Sequence, residues 1–122
     1  MGGFHDLVAI NKQPGTGYTE MSVLTFGSGC QVFGIQNHST GMGETGLNCQ
    51  FEFADWDGDR QDDLIAIKKS GTGTGSTEPS VLSGASMWQD YLLATGTALE
   101  ETGANWEFEI GAYMDLVGIR NL

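Results

Sequence analysis

Short apolar segments separated by glycine-rich turns run along the whole chain. Polar and apolar residues alternate at positions 50–54, which is typical of a half-buried β-strand. Positions 64–67 read Leu-Ile-Ala-Ile without interruption, as in a strand that is covered on both faces. Further strands are predicted at 77–82, 88–95 and 105–110, and no segment has the periodicity of an amphipathic helix. The pattern therefore predicts an all-β protein.

Two sequence motifs recur along the chain. The segment GTGYTEMSVL at 15–24 returns as GTGSTEPSVL at 73–82, identical at eight of ten positions. A second motif, Asp-Leu-Val/Ile-Ala/Gly-Ile, occurs three times, at 6–10, 63–67 and 115–119. A repeat of about fifty residues is typical of solenoids, propellers and arrays.

The predicted strands fall into groups that match propeller blades. Four short antiparallel strands in about 50 residues is the size of one blade. The chain is a single region, 1–122, predicted to hold a partial first blade at about 4–47, a complete blade at 48–97 and the start of a further blade at 104–122. In blade order the strands read two-three-four, then one to four, then one-two.

About two blades per chain leave apolar sheet faces and strand edges uncovered. Propellers close with about four to eight blades, and open edges promote aggregation unless something covers them. A cyclic homo-oligomer resolves this, because the last strands of one chain can complete the first blade of the next. A trimer with about six or seven blades is favoured over a dimer with about four or five. The alternative is a fragment of a longer chain.

The charge balance narrows the range of partners. Sixteen acidic residues against five basic ones give a formal net charge of −11. Nucleic acid and anionic membrane are excluded as partners, because both require a Lys/Arg patch. No apolar stretch reaches the ~20 residues of a membrane span, and the first residues lack the features of a signal peptide. A soluble protein is predicted, either cytoplasmic or secreted by a non-classical route.

An acidic loop follows the strand at 50–54. The segment DWDGDRQDD at 55–63 places carboxylates at its first, third, fifth and ninth positions. Alternate residues in a tight loop can converge on one point, and a hard cation takes about six to eight oxygen ligands. The loop is not an EF-hand, because its sixth position is Arg60 and its twelfth is Ala66. It is either a Ca²⁺ site or an acidic turn held by backbone hydrogen bonds.

The spacing of this loop resembles the calcium loop of integrin-alpha-type repeats, an Asp-x-Asp/Asn-Gly-Asp-Gly-x-x-Asp turn between two strands. The resemblance implies a structural Ca²⁺ held by Asp55, Asp57, Asp59, Asp63 and the backbone carbonyl of Gln61. Arg60 departs from the pattern, because the family usually has a second glycine there to ease the turn.

A larger set of motifs resembles the Psathyrella velutina lectin family. These motifs are DLIAIKK, GTGSTE, SVLSGAS, the segment at 92–99 and ETGANWEF at 101–108. Members are seven-bladed propellers, related in fold to the integrin alpha head, and bind sugars such as N-acetylglucosamine or fucose between blades. The resemblance implies a carbohydrate-binding lectin with glycans as ligands, made multivalent by its ring.

A sugar site needs an aromatic ring for the apolar face of the sugar and fixed polar groups for its hydroxyls. The chemistry and the resemblance together nominate Trp106, Asn105, Thr77, Glu78, Ser80, Trp88 and Tyr91. Core packing is the competing role for the three aromatic residues. Ser80 stands where family repeats commonly have a histidine.

The sequence indicates binding and not catalysis. His5 and His38 do not occupy equivalent repeat positions, and the chain contains no nucleophile elbow or phosphate loop. Cys30 and Cys49 match no zinc or redox spacing, and two buried free thiols are favoured over a disulfide. The chain is therefore not expected to be an enzyme. The alternative to a lectin is a structural or protein-interaction propeller fragment, excised or engineered, with a calcium-stabilised loop and no sugar binding.

Overall fold

The computed structural model of the chain describes residues 6–103, 105–111 and 115–120, which form nine β-strands and two single-turn 3-10 helices. The strands are β1 (Asp6–Asn11), β2 (Tyr18–Thr25), β3 (Phe33–Gly43), β4 (Cys49–Ala54), β5 (Asp63–Lys68), β6 (Glu78–Leu82), β7 (Tyr91–Ala94), β8 (Trp106–Ile110) and β9 (Leu116–Arg120). The 3-10 turns are Phe26–Ser28 and Gly84–Ser86. Across these described ranges no helix has the length and hydropathy needed to cross a bilayer.

The strands pair into three antiparallel sheets. Sheet 1 has the order β1-β2-β3, sheet 2 the order β4-β5-β6-β7, and sheet 3 contains β8 and β9. This confirms the all-β prediction and the grouping into three, four and two strands. The chain divides into two compact units, residues 1–46 with sheet 1 and residues 47–122 with sheets 2 and 3.

The core of the second unit lies between sheets 2 and 3. Ile65, Ile67 and Val81 of sheet 2 and Phe108 of sheet 3 form a buried cluster. Partly buried apolar side chains pack around it: Ala54, Leu93, Leu99, Trp106, Ile110 and Leu116. Both faces of β5 are covered, which explains its uninterrupted apolar sequence.

Polar contacts also join sheets 2 and 3. The side-chain amide of Gln50 bonds both backbone groups of Phe108, accepting its N–H at 3.1 Å and donating to its carbonyl. Lys69 Nζ donates to the carbonyl of Trp106 at 2.6 Å. These contacts hold β8 against sheet 2 and give hydrogen-bond partners to the backbone groups of Phe108 and Trp106.

The 3-10 turns of sheets 1 and 2 have equivalent hydrogen bonds. Ser28 Oγ donates to the Thr25 carbonyl at 2.8 Å, and Ser86 Oγ donates to the Ser83 carbonyl at the same distance. The two residues after each turn have positive φ, Gly29 and Cys30 in sheet 1 and Met87 and Trp88 in sheet 2. The strand predicted at 88–95 is therefore shorter, and its first part is this left-handed turn.

A buried threonine pair is also repeated. Thr19 and Thr77 are fully buried, and each donates its hydroxyl to a backbone carbonyl at 2.8 Å. Thr40 and Thr97 in turn donate to the carbonyls of Thr19 and Thr77, at 2.7 and 2.8 Å. The equivalent strand ends of the two sheets are thus held by the same side-chain hydrogen bonds.

Sheet 1 accommodates one additional residue through a bulge. Asn37 has a φ of 49°, and the β2–β3 register shifts between Met21 and Val23. The Asn37 N–H bonds Ser22 Oγ at 2.9 Å, so its backbone donor is satisfied outside the regular ladder. The bulge lets the repeated turn and threonine networks keep the same geometry despite the extra residue.

The cysteines and the described histidine have structural surroundings. Cys49 is buried, as predicted, whereas Cys30 is only partly buried, and neither forms a disulfide within the described residues. His38 lies in β3 and is partly buried. His5 lies outside the described residues.

Candidate functional site

The acidic loop connects β4 to β5 and gathers four carboxylates. One oxygen from each of Asp55, Asp57, Asp59 and Asp63 lies within 4.8 Å of the other three. Two oxygens on opposite sides of a Ca²⁺, each about 2.3–2.6 Å from the ion, lie about 5 Å apart. The four carboxylates are therefore spaced so that they can hold one metal ion.

Backbone donors and neighbouring charges set the ionisation of the loop. Desolvation acts to raise the pKa of Asp55, but the backbone N–H groups of Arg60, Gly58 and Asp59 outweigh it and lower that pKa. These donors lie 2.8–3.1 Å from the Asp55 oxygens. The pKa of Asp57 is raised by desolvation and by the adjacent carboxylates of Asp59 and Asp63. The loop thus concentrates negative charge that a cation would neutralise.

Asp63 links the acidic loop to the turn Gly84–Ser86. Its carboxylate is fully buried and accepts the N–H of Trp56 at 2.9 Å and the N–H of Gly84 at 2.8 Å. The indole of Trp88 donates to the Asp62 carbonyl at 3.1 Å. A Cβ on Gly84 would collide with that same carbonyl oxygen. The loop therefore closes tightly against a turn that needs glycine at this position.

The turn of the loop depends on two left-handed residues, Gly58 with φ 78° and Arg60 with φ 70°. Arg60 therefore adopts a left-handed conformation that glycine favours, at the position where the integrin-alpha-type pattern has a glycine. A non-glycine residue in this region costs about 1–2 kcal/mol. Gln61 is exposed, and its N–H donates to Asp59 at 2.9 Å.

Four of the predicted sugar-binding residues lie away from the acidic loop, at the end of sheet 2 where β5 ends and β6 begins. Thr77 is buried and its hydroxyl donates to the Glu100 carbonyl. Glu78 is partly buried and accepts the Thr74 N–H at 3.0 Å. Asn105 is exposed just before Trp106, which the Lys69 hydrogen bond holds at this end.

Trp106 is partly buried and its ring has two neighbours. The Phe108 ring is stacked beside it, with centroids 6.2 Å apart and planes 19° apart. The guanidinium of Arg120 lies 5.9 Å from the Trp106 ring centroid, within range of a cation–π contact. A sugar that stacks on the face beneath Arg120 would have to replace that contact.

The remaining predicted sugar-binding residues lie elsewhere on sheet 2. Trp88 is buried beside the acidic loop, with its ring 5.6 Å from that of Phe53. Tyr91 begins β7 at the same end; it is 46% exposed, and desolvation raises its pKa. Ser80 lies in the middle of β6. The seven residues are thus spread over both ends of the sheet and do not form one cluster.

Two glutamates that the sequence analysis did not single out hold the glycine turns. Glu101 accepts the N–H groups of Gly71 and Thr72 at 3.0 and 3.3 Å, and these bonds lower its pKa. Glu44, the repeat equivalent of Glu101, accepts the N–H groups of Gly15 and Gly17, which lie later in the corresponding hairpin turn of sheet 1, at 2.7 and 3.0 Å. The repeated Glu-Thr-Gly at 44–46 and 101–103 was the available sequence signal.

A carboxyl pair outside the acidic loop, Glu52 and Glu109, joins β4 to β8. Burial, together with the hydrogen bond and negative charge of Glu109, raises the pKa of Glu52 to about 7. No sequence pattern predicts this pair, because the two residues lie far apart along the chain and meet only when the two sheets pack.

Comparison of the chain with models of protein families, with curated proteins and with solved structures found no match.

Proposed function

We propose that the chain is a carbohydrate-binding module built from propeller-type blades, with a calcium-stabilised loop and several equivalent sugar sites created by cyclic self-association. The single observation that carries the proposal is the agreement between the repeated sequence and its hydrogen bonds. The same serine-held turns, buried threonines and glutamate-held glycine loops recur in sheets 1 and 2. Equivalent repeats of this kind support equivalent binding sites.

The proposed sugar site lies at the end of sheet 2 that holds Asn105, Trp106 and Glu78. The exposed amide of Asn105 offers both a donor and an acceptor for sugar hydroxyls. The partly exposed ring of Trp106 offers an apolar face. N-acetylglucosamine or fucose is the proposed sugar class, on the strength of the sequence resemblance. Weak single sites gain affinity when several act together on one glycan surface.

A glycan array with the labelled full chain tests this proposal, followed by titration with free N-acetylglucosamine and fucose. Replacement of Trp106 by Leu or Asn105 by Ala should lower the affinity about tenfold or more, a loss of about 1.4 kcal/mol. Trp56→Leu is the matched control, because Trp56 is a partly exposed tryptophan in the acidic loop, away from the proposed site. Absence of binding to every glycan would contradict the proposal.

We propose that the acidic loop binds Ca²⁺ and that the ion has a structural role. The four convergent carboxylates supply the hard oxygen ligands that Ca²⁺ prefers, and the Gln61 carbonyl is the proposed fifth protein ligand. Bound Ca²⁺ would neutralise the charge that raises the pKa of Asp57. The loop is fixed on sheet 2 through Asp63, so the ion would stabilise the sheet end and take no part in catalysis.

A second candidate function is a structural or protein-interaction propeller segment that binds no sugar. It is favoured by the side chains of Thr77 and Trp88, which are buried and use their polar groups in hydrogen bonds within the chain. This function predicts self-association and a calcium response together with a blank glycan array. The array therefore separates the two candidates.

A further inference from the structure

The same five-residue motif is buried to very different extents in its three copies. In β5, Leu64, Ile65 and Ile67 are each at most 3% exposed. In β1, by contrast, the equivalent of Leu64 is Leu7, which is 46% exposed. In β9, the equivalents of Ile65 and Ile67 are Val117 and Ile119, which are 42% and 47% exposed.

The exposed residues of β1 and β9 belong to opposite faces of the repeated sheet. Alternate residues of a strand point to opposite faces. Leu7 and Ala9 are exposed on one face of β1, while Val8 and Ile10 on the other are partly buried. In β9 the pattern is reversed: Leu116 packs into the core against sheet 2, and Val117 and Ile119 are exposed. The uncovered face of sheet 1, which contains Leu7 and Ala9, is therefore equivalent to the covered face of sheet 3. The uncovered face of sheet 3, which contains Val117 and Ile119, is the opposite face.

The packing of sheet 2 on sheet 3 shows how two such faces fit together. Ile65 and Ile67 of β5 pack in one cluster with Leu116 of β9. Val117 and Ile119 are the β9 equivalents of this Ile65/Ile67 face. Leu7 is the β1 equivalent of Leu116. The exposed Val117/Ile119 face and the exposed Leu7/Ala9 face are thus equivalent to the two surfaces that pack together between sheets 2 and 3.

We propose that the Val117/Ile119 face of one copy of this chain packs on the Leu7/Ala9 face of a second copy. This inference rests on the self-association in the proposed function and names the surfaces that carry it. Cross-strand neighbours extend both faces. Leu24 lies opposite Leu7, and Glu107 and Glu109 lie opposite Ile119 and Val117.

The proposed contact is heterologous, because it joins two different surfaces. Such contacts form rings when the rotation closes and open chains when it does not. Each copy carries a net charge of −11, so association should strengthen as added salt screens the repulsion. A contact of a face with itself would instead stop at a dimer.

Sedimentation velocity of the full chain and of the variants Leu7→Asp and Ile119→Asp tests the proposal. Each variant alone should lose self-association by about tenfold or more. Leu7→Asp keeps the Val117/Ile119 face intact, and Ile119→Asp keeps the Leu7/Ala9 face intact. An equimolar mixture of the two variants should therefore form a one-to-one complex and nothing larger. Val32→Asp is the matched control, since Val32 is 55% exposed and lies outside both faces, and it should associate as the unaltered chain does.

Three outcomes would overturn the proposal. The unaltered chain could remain monomeric at every concentration and salt level, as it would if a further segment of a longer protein covers these faces. The Leu7→Asp variant could retain full association while Ile119→Asp loses it, which would show that one face pairs with itself. The mixture could also fail to associate. Circular dichroism checks folding, and Ile119→Thr, which keeps a β-branched residue, replaces Ile119→Asp if the latter unfolds.

The sugar and assembly proposals are distinguishable. If the unaltered chain associates through these faces and binds no glycan, the assembly inference stands and the lectin proposal fails. If it is monomeric and binds glycan, sugar binding stands, while the assembly inference and the multivalent, self-associated part of the proposed function both fail.

Discussion

The buried carboxylate of Asp63 accepts the backbone N–H of Gly84 at 2.8 Å, and its other oxygen accepts the N–H of Trp56. One side chain thereby joins the acidic loop to the 3-10 turn between β6 and β7. The equivalent of Gly84 in sheet 1 is Phe26, which is 50% exposed and begins the corresponding turn. Glycine is thus required only where the loop packs against the turn.

Replacement of Gly84 by Ala should destabilise the chain by about 1–3 kcal/mol, because the added methyl group collides with the Asp62 carbonyl. The free energy of unfolding from urea denaturation measures this. Gly27→Ala is the matched control, since a Cβ there meets no atom within 4 Å, and it should change stability little. Equal effects of the two substitutions would contradict the close packing of Gly84 against the Asp62 carbonyl.

Replacement of Arg60 by Gly should stabilise the chain by about 1 kcal/mol, because the left-handed conformation at φ 70° favours glycine. Removal of the positive charge should also strengthen Ca²⁺ binding. Gln61→Gly is the control, because Gln61 has no positive φ, and there glycine should cost stability through its greater freedom in the unfolded chain. The prediction fails if Arg60→Gly lowers the unfolding free energy in chelator.

Addition of Ca²⁺ should raise the Tm, and a chelator should reverse the effect. A ligand at about 100 times its Kd stabilises the folded state by about 2.7 kcal/mol. Asp57→Asn should abolish this response, because it removes a carboxylate from the convergent set. Asp62→Asn, in the same loop but outside the set, should retain it. A Tm that is independent of calcium in the unaltered chain would exclude a structural ion.

The Glu52–Glu109 pair should make stability fall as the pH rises. The pKa of Glu52 is about 7 in the folded chain against an ordinary value of 4.5, so the folded state binds more protons between these values. The contribution to stability is present below about pH 4.5 and is lost as the pH rises towards 7. Glu52→Gln should flatten this part of the Tm profile and raise the Tm at pH 8.

Glu107→Gln is the matched control for this prediction, because Glu107 lies on the same sheet as Glu109 and is exposed. It should leave the slope of the Tm profile between pH 4.5 and 7 unchanged. An unchanged slope in Glu52→Gln would show that the carboxyl pair does not control the pH dependence.

Loss of the buried hydroxyl in Thr19→Val or Thr77→Val should cost about 1 kcal/mol in each case, because the hydrogen bond to the carbonyl of Gly43 or Glu100 is lost. The two values should agree, since the surrounding networks are equivalent. Thr95→Val is the control, because Thr95 is exposed and its hydroxyl donates to the carbonyl of the adjacent Gly96. Urea denaturation measures all three, and a cost confined to one repeat would contradict the equivalence.

Local sequence signals located the strands and turns well. Gly84-Ala85-Ser86 was predicted to turn the chain, and strands β4, β5 and β8 lie within one residue of the predicted positions. The prediction for Trp88 was less accurate, because its apolar neighbours suggest a strand while backbone bonds to Ser83 hold it in a left-handed turn. Apolar pattern alone does not distinguish these conformations.

The two candidate sites, the acidic loop and the sugar site, also differ in how far the sequence predicts them. The spacing of Asp55, Asp57, Asp59 and Asp63 was sufficient to predict their convergence, since a short loop limits where its side chains can lie. The sugar-binding residues were nominated by type, and their positions depend on strand pairing. Trp88 consequently lies beside the acidic loop, whereas Trp106 begins β8 of sheet 3 and lies near the opposite end of sheet 2, where β5 ends.

The sequence by itself determined the repeat, the all-β class, the division into three, four and two strands, and the acidic loop. These follow from turn residues and alternation, which act over a few positions. Only the tertiary structure decided which copy of the repeated motif is buried, that Glu52 meets Glu109, and that Asp63 holds Gly84. These contacts join residues distant along the chain, and burial depends on which sheet packs against which face. The near-identical motifs of β1, β5 and β9 therefore differ in exposure because their neighbours differ.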